Sequence, residues 1–288
     1  MMDNTYYASI GREFIKRKRR IVVKVGTSTL THANGHANLR RIDILARVLS
    51  DVHNTGKDII LVSSGAIGVG MGKLKISARP RATAERQAIA AVGQCELMQI
   101  YSKIFAEYSH IVGQILLTRD VVTNEHSRVN VINTFENLLR MGIIPIVNEN
   151  DSVTTDELED RYINGFGDND TLSAIVAVLV QADLLIMLSD KDGFYTENPD
   201  NNPDAKLISL ITEISPQIER AAGGVGSSRG TGGGETKIEA AKVAMSNGID
   251  MVLAGGADPS VIYGILAGEE IGTFFCAPKA GAEMPAQS

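Results

Sequence analysis

Residues 143–147, Ile143-Ile144-Pro145-Ile146-Val147, are apolar at every position, and the run then breaks into Asn148-Glu149-Asn150-Asp151, where no residue is apolar. A stretch apolar at consecutive rather than alternate positions reads as a buried strand, of the kind found in parallel sheets covered by helices. Its abrupt end reads as a strand running into a polar site. Seventeen residues after Asp151 stands a second cluster, Asp168-Asn169-Asp170, entered through Gly165-Phe166-Gly167 and followed by a helical pattern from Leu172 to Ala177. Two acid and amide clusters thus bracket one segment. Within it, Val153-Thr154-Thr155 and Arg161-Tyr162-Ile163 flank an acidic tip, which reads either as a short hairpin able to cover a ligand or as a disordered surface loop.

The same pattern recurs along the chain. Strands are expected at Arg20–Val25, Ile59–Val62, Ile111–Leu117, Asp183–Leu188, Ile249–Leu253 and Gly272–Phe275, and helices at Leu39–Val52, Ala82–Tyr108, Val129–Arg140 and Val261–Leu266. Gly93-Gln94, inside the longest helical pattern, marks a close approach or a break. The apolar region from Leu172 to Leu188 is long enough to suggest a membrane span, but Gln181 and Asp183 interrupt it, and it reads as a buried helix followed by a buried strand. Strands alternating with helices define an α/β fold. No repeat or low-complexity linker divides the chain, so residues 20–277 are expected to form one domain, after a solvated basic leader at 1–19 and before a frayed tail at 278–288.

Composition removes several function classes. The formal net charge is −6 and the sequence pI about 5.5, which argues against a constitutive nucleic-acid binder. The run Lys16-Arg17-Lys18-Arg19-Arg20 is a short basic stretch that reads as a solvated leader before the first strand in preference to a phosphate-binding or localisation patch. Cys95 and Cys276 form no metal-ligand spacing and no disulfide framework. With no signal-peptide pattern near the N-terminus, a cytoplasmic enzyme without membrane partners is expected.

Three places suit an anion. Lys24 ends a buried strand beside Gly26-Thr27-Ser28, where ligands bind in open α/β sheets, although a lysine snorkelling from a strand end fits the motif equally well. Ser63-Ser64-Gly65-Ala66-Ile67-Gly68-Val69-Gly70 reads as a loop that offers backbone N–H groups and hydroxyls at another strand end, or else as a merely structural strand-to-helix turn. Gly223 to Gly234 holds seven glycines in twelve residues and opens directly into a helical pattern with Lys237 in its first turn. A cation there is unfavourable for the helix, and a neighbouring anion would explain it. Neither a G-x-G-x-x-G fingerprint nor a G-x-x-x-x-G-K-[ST] loop is present, and the five histidines lack ligand spacing. Two lysines, glycine-bearing strand ends and two acid and amide clusters point to phosphoryl transfer, which asks for positioning and charge neutralisation.

Taken together, Lys24-Val25-Gly26-Thr27-Ser28, Val62-Ser63-Ser64-Gly65-Ala66-Ile67, Ala91-Val92-Gly93-Gln94, Gly113-Gln114-Ile115-Leu116-Leu117-Thr118, Pro145 to Asp151, Phe166 to Asp170, Asp190 to Tyr195 and Gly230-Thr231-Gly232-Gly233 resemble the amino acid kinases. The similarity runs from about Ile21 to Phe275 and is specific to the branch whose acceptor is the γ-carboxylate of glutamate. The resemblance implies an open, mainly parallel sheet sandwiched between helices, with ATP and Mg²⁺ as cosubstrate and metal and no metal ligated directly by the protein. It implies that Ser64, Gly65, Asn148, Asp151, Asp168 and Asn169 contact glutamate. It also implies that Ser189, Asp190 and the stretch Gly230, Thr231, Gly232, Gly233, Gly234, Glu235, Thr236, Lys237 line the nucleotide. Lys24 and Lys237 would hold the transferring phosphoryl group and Asp170 would orient both. Feedback inhibition by proline, a homodimer or homotetramer, and the first step of proline biosynthesis are further implications.

Two departures stand out. Gly234 replaces the family's usual methionine and is expected to loosen the loop, and the C-terminal RNA-binding-like domain of many bacterial members is not expected in this chain. A sibling kinase with another acceptor and a catalytically silent amino-acid sensor are the competing readings.

Overall fold

The structure, a computed structural model, describes residues 11–32, 34–78, 80–118, 121, 123–153, 169–197, 199, 202–222 and 233–278. Its strands are β1 (Arg20–Val25), β2 (Asp58–Ser63), β3 (Val112–Leu117), β4 (Ile144–Glu149), β5 (Leu184–Ser189), β6 (Leu210–Ile211), β7 (Asp250–Gly255) and β8 (Thr273–Phe275). Its helices are α1 (Thr27–Leu30), α2 (Leu39–Asn54), α3 (Ala66–Leu74), α4 (Thr83–Glu107), α5 (Glu125–Arg140), α6 (Asn169–Leu179), α7 (Pro216–Ala222), α8 (Gly234–Ser246) and α9 (Val261–Leu266). The strands form one eight-stranded sheet in the order β3-β4-β2-β1-β5-β7-β8-β6. All neighbours are parallel except β7 and β8. The carboxyl ends of β1, β2, β3, β4, β5 and β7 therefore share one edge. The chain builds outward from β1 through β2 to β4 and β3, then crosses by α6 to β5 on the other side of β1, so the strand order reverses at β1. Open α/β sheets bind ligands at such a reversal.

The pleat sorts each apolar run into two cores. Ile21, Val23 and Val25 face a core with Ile59, Leu61, Ile146 and Ile186, covered by Leu45 and Leu49 of α2, Leu97 and Phe105 of α4, and Ile262 of α9. Val22 faces the opposite core with Ile60, Val147, Leu185 and Met251, covered by Phe135 of α5, Leu172 and Val176 of α6, and Ile238 and Ala241 of α8. Side chains alternate with period two, so Lys24 belongs to the second face, under α6 and α8. Pro145 sits inside this sheet without a hydrogen to donate, and the β2–β4 ladder holds only Leu61–Ile146 and Val62–Val147, starting just after it. The expected reading of Leu172–Leu188 as helix then strand agrees with α6 and β5. No helix among the described residues is long and apolar enough to cross a membrane.

Three expectations are corrected. Ser63–Gly70 is not one loop, because α3 begins at Ala66 and only Ser64 and Gly65 form the turn. Glycines cost helix propensity, but here they let two helices meet backbone to backbone. A Cβ on Gly93 of α4 would lie 1.8 Å from the Ala66 carbonyl oxygen, and one on Gly70 would lie 2.2 Å from that of Ile89. Of the two readings of Gly93, close approach is the one observed. Gly93→Ala must separate α3 from α4 and is expected to lose about 1–3 kcal/mol or more in a denaturant titration, whereas an unchanged midpoint would mean that the helices part without cost.

The second correction concerns the leader, of which residues 11–19 are folded. Residues 11–15 are helical, Ile15 is buried, and Arg12 is 2% exposed. The Arg12 guanidinium donates to the carbonyls of Ser209, Glu269, Ile271 and Gly272 at 2.9–3.1 Å and lies over the Phe274 ring. Part of the basic run is paired: Lys16 with Glu13 at 2.6 Å, Lys18 with buried Asp250 at 2.7 Å, and Arg20 with Asp58 and Glu136. Third, α5 starts at Glu125, four residues before the expected Val129, because the Asn124 side chain caps it by accepting from the Ser127 N–H.

Candidate active site

Period-two alternation aims Lys24 toward α6, whose first turn carries Asp170. An acid is favoured at that position by the helix dipole, and here it is also fully buried, with 0% exposure. Lys24 Nζ stands 2.5 Å from Asp170 Oδ1 and Lys237 Nζ 3.3 Å from Oδ2, while the Thr236 hydroxyl lies 2.9 Å from Oδ2. The Ser173 hydroxyl donates to the Asp170 carbonyl at 2.6 Å, fixing the first turn of α6. Burial alone pushes the Asp170 carboxyl up, but the two ammonium groups, helped by hydrogen bonds from Lys24 and Thr236, outweigh it and hold the group below the usual carboxylate range. One ionised carboxylate thus brings together two cations from elements 213 residues apart in sequence (237 − 24).

On the β2 side, Ser64 N–H donates to the Val25 carbonyl at 3.0 Å, and Gly65 turns the chain into α3 at φ +98°, a conformation suited to glycine. Asn169 Nδ2 donates to Ser64 Oγ at 2.9 Å, which leaves the Ser64 proton available to an acceptor. At the end of β4, Asn148 is 1% exposed and its Nδ2 donates to Gln94 Oε1 at 2.9 Å. Asn148 Oδ1 and Asn169 Oδ1 are buried and have no hydrogen-bond partner among the described residues. Buried polar atoms are rarely left so, and two of them at strand and helix ends facing one edge suit the donors of a bound polar molecule. Asp151 lies half-buried in the turn that follows β4.

On the β5 side, Ser189 Oγ donates to Asp190 Oδ1 at 3.0 Å, and the Ser189 carbonyl accepts from the Gly256 N–H at 2.6 Å, tying the ends of β5 and β7 together. Tyr195 donates its hydroxyl to Asp192 at 2.7 Å. The N-cap of α8 is Gly233, which has no side chain to cap the N–H groups of the first turn. At Gly234 a Cβ would lie 2.5 Å from the Ala222 carbonyl oxygen, so α7 and α8 pack tightly at that point, while the loop it was expected to loosen lies outside the described residues. Glu235 is exposed. Asp168, Gly230, Thr231 and Gly232, and the segment expected as hairpin or loop from residue 154 onward, lie outside the described residues.

Of the expected residues, Lys24, Asp170, Thr236 and Lys237 form one bonded cluster, and Ser64 and Asn169 form a second. Asn148 is joined by Gln94, to which the sequence reading gives a place in a family-like stretch beside Gly93 but no role at the site. Its signal was available: it is a polar residue on the buried face of α4, between Ile89 and Leu97.

A profile of the Amino acid kinase family matches residues 19–255, most of the chain. This chain belongs to the amino acid kinase family. A relative in Clostridium perfringens named Glutamate 5-kinase is 60% identical over 268 residues, covering 93% of this chain and 99% of its own. Another of that name in Enterococcus faecalis is 55% identical, covering 92% of this chain and 97% of its own. In structure, the chain resembles UMP kinase from Bacillus anthracis, with a TM-score of 0.61 at 15% identity over 91% of this chain and 97% of that one. It also resembles isopentenyl phosphate kinase from T. acidophilum, with a TM-score of 0.60 at 18% identity over 89% of this chain and 99% of that one. The shared amino acid kinase fold accounts for the sheet that brings Lys24, α6 and α8 to one edge.

Proposed function

We propose that this chain transfers the γ-phosphoryl group of ATP to the γ-carboxylate of L-glutamate, giving γ-glutamyl phosphate and ADP at the first step of proline biosynthesis. The observation that carries the reading is the buried Asp170 carboxylate holding Lys24 and Lys237 at the edge where the strand order reverses. The acceptor is supported by the relatives named Glutamate 5-kinase, one of them 60% identical to this chain.

The chemistry fits these residues. A glutamate side chain, with a solution pKa of about 4.3, is already ionised at neutral pH and needs no general base. A carboxylate oxygen forms a bond to the γ-phosphorus while the bond from that phosphorus to the β,γ-bridging oxygen breaks, and ADP leaves with that electron pair. The obstacle is repulsion between two anions. Lys24 and Lys237 offset it by meeting the charge on the equatorial oxygens, and Asp170 sets the spacing between them. Asn148 Oδ1, with Asp151, suits the α-ammonium group, and the Ser64 proton suits a carboxylate oxygen. Ser189, Asp190 and the start of α8 would lie along the nucleotide, the N–H groups of that first turn facing its phosphates.

Among the described residues no group of three or more His, Cys, Asp or Glu side chains could hold a metal. Mg²⁺ entering with the nucleotide would add to the charge neutralisation that Lys24 and Lys237 supply. Proline as an inhibitor and a homo-oligomeric state belong to this proposal as expectations from the family.

The reading is tested by mixing the protein with glutamate, MgATP and hydroxylamine, which traps an acyl phosphate as the hydroxamate. Colour that depends on glutamate and ATP is expected. Its absence with folded protein, or a stronger ADP release with aspartate or UMP, would sink the assignment.

A further inference from the structure

Among the described residues, two donors to Asp170 Oδ2 share a second acceptor. The Thr236 hydroxyl lies 2.9 Å from Oδ2 and 3.0 Å from the Gly233 carbonyl, and Lys237 Nζ lies 3.3 Å and 3.4 Å from the same two oxygens. A hydroxyl has one proton to give, and an ionised carboxylate is the stronger acceptor. Thr236 is therefore the closer donor to Oδ2, and Lys237 the looser one. An ammonium group that engages phosphoryl oxygens must relax its hold on Oδ2, and Asp170 is fully buried, so water does not replace the lost donor.

We propose that Thr236 is a positioning residue of the phosphoryl transfer, its hydroxyl keeping Asp170 Oδ2 bonded while Lys237 moves onto the transferring group. The Thr236 side chain then faces the carboxylate, and only its backbone N–H is turned to the nucleotide. Gly233 provides the resting acceptor for whichever donor is displaced. This inference rests on the kinase reading, though not on glutamate as the acceptor.

The test compares T236V, which keeps shape and removes the hydroxyl, with T236S, which keeps the hydroxyl, by ADP release with MgATP and glutamate across a pH series. T236V is expected to lower kcat about tenfold with both KM values within about twofold, and T236S to restore kcat to within about threefold. In T236V the acid limb of kcat is also expected to move to higher pH, because Asp170 loses a hydrogen bond that holds its carboxyl low. A higher KM for ATP at unchanged kcat would assign the hydroxyl to the nucleotide and overturn the proposal, and so would wild-type kcat and pH profile in T236V. T236A serves as the second hydroxyl-free variant. Failure of both T236V and T236A to fold beside a folded T236S would assign the hydroxyl to the fold and overturn it as well. A wild type that turns over beside an equally active T236V defeats the Thr236 role alone, whereas a wild type without turnover defeats the kinase reading and this inference with it.

Discussion

Lys237→Ala is expected to lower kcat by about 100- to 1,000-fold and to leave KM for glutamate within about threefold, the pattern of an interaction made mainly in the transition state. Three observations lead there. Lys237 occupies the first turn of α8, where a cation works against the helix dipole and an anion is favoured nearby. Among the described residues its ammonium reaches two acceptors, the Asp170 carboxylate at 3.3 Å and the Gly233 carbonyl at 3.4 Å, both long for charge-assisted bonds. The groups assigned to glutamate, Ser64, Asn148 and Asn169, are held by one another and by Gln94. Stability is expected to change little, because Asp170 keeps Lys24 and Thr236 and α8 loses an unfavourable charge. Steady-state kinetics with a denaturation curve on the same sample checks both parts. A kcat within tenfold of wild type would remove Lys237 from the phosphoryl site.

Much of this arrangement is written locally in the chain. Ile59 to Val62 and Ile21 to Val23 can only be buried strands, and β1, β2, β5 and β7 lie within a residue or two of the apolar runs that announce them. Strand parity even aims Lys24 at the correct layer. Features set by distant partners were not legible. Arg12 and Lys18 look like part of a solvated leader because the carbonyls of residues 209–272 and the carboxylate of Asp250 that hold them lie about 200 positions or more downstream. β6, two residues long at the sheet edge, carries too short a pattern to read. The glycines of α3 read as a loop because their compensation, the backbone of α4 around Ile89 and Gly93, is invisible from α3 alone.

The site divides in the same way. Residue types at strand and helix ends suggested an anion site, but the roles of Asp170 and of the two lysines came from family resemblance. Spacing alone does not state that a carboxylate at position 170 lies between ammonium groups at 24 and 237. Gln94 was passed over because a glutamine on a helix names no chemistry until its partner is known. With Asn148 Nδ2 given to Gln94, the buried Oδ1 is the atom left to accept, so Gln94 determines that this strand end accepts a donor.

Asp170→Asn is expected to have the widest consequences, because it removes the carboxylate that, among the described residues, makes two close cations tolerable. The side chains of Lys24 and Lys237 are 10% and 14% exposed, so water screens their repulsion poorly once the carboxylate is neutral. Removing one partner of such a buried cluster typically costs about 3–5 kcal/mol, and with both ammonium groups displaced kcat is expected to fall about 1,000-fold or more. The pH dependence has a definite sign. The Asp170 carboxyl lies below its ordinary value in the folded chain, so its contribution is full above the unfolded pKa of about 3.9 and is lost as pH falls through the folded value. The stability gap between wild type and D170N, measured by denaturant titration, is therefore widest near neutral pH and closes in acid. Added MgATP supplies anionic oxygens to the same lysines, so it should raise the melting temperature of D170N more than that of wild type, by mass action on a folded state starved of counter-charge. A variant equally stable at neutral pH, or one that MgATP stabilises no more than wild type, would mean that Asp170 sets the geometry of the lysines without balancing their charge.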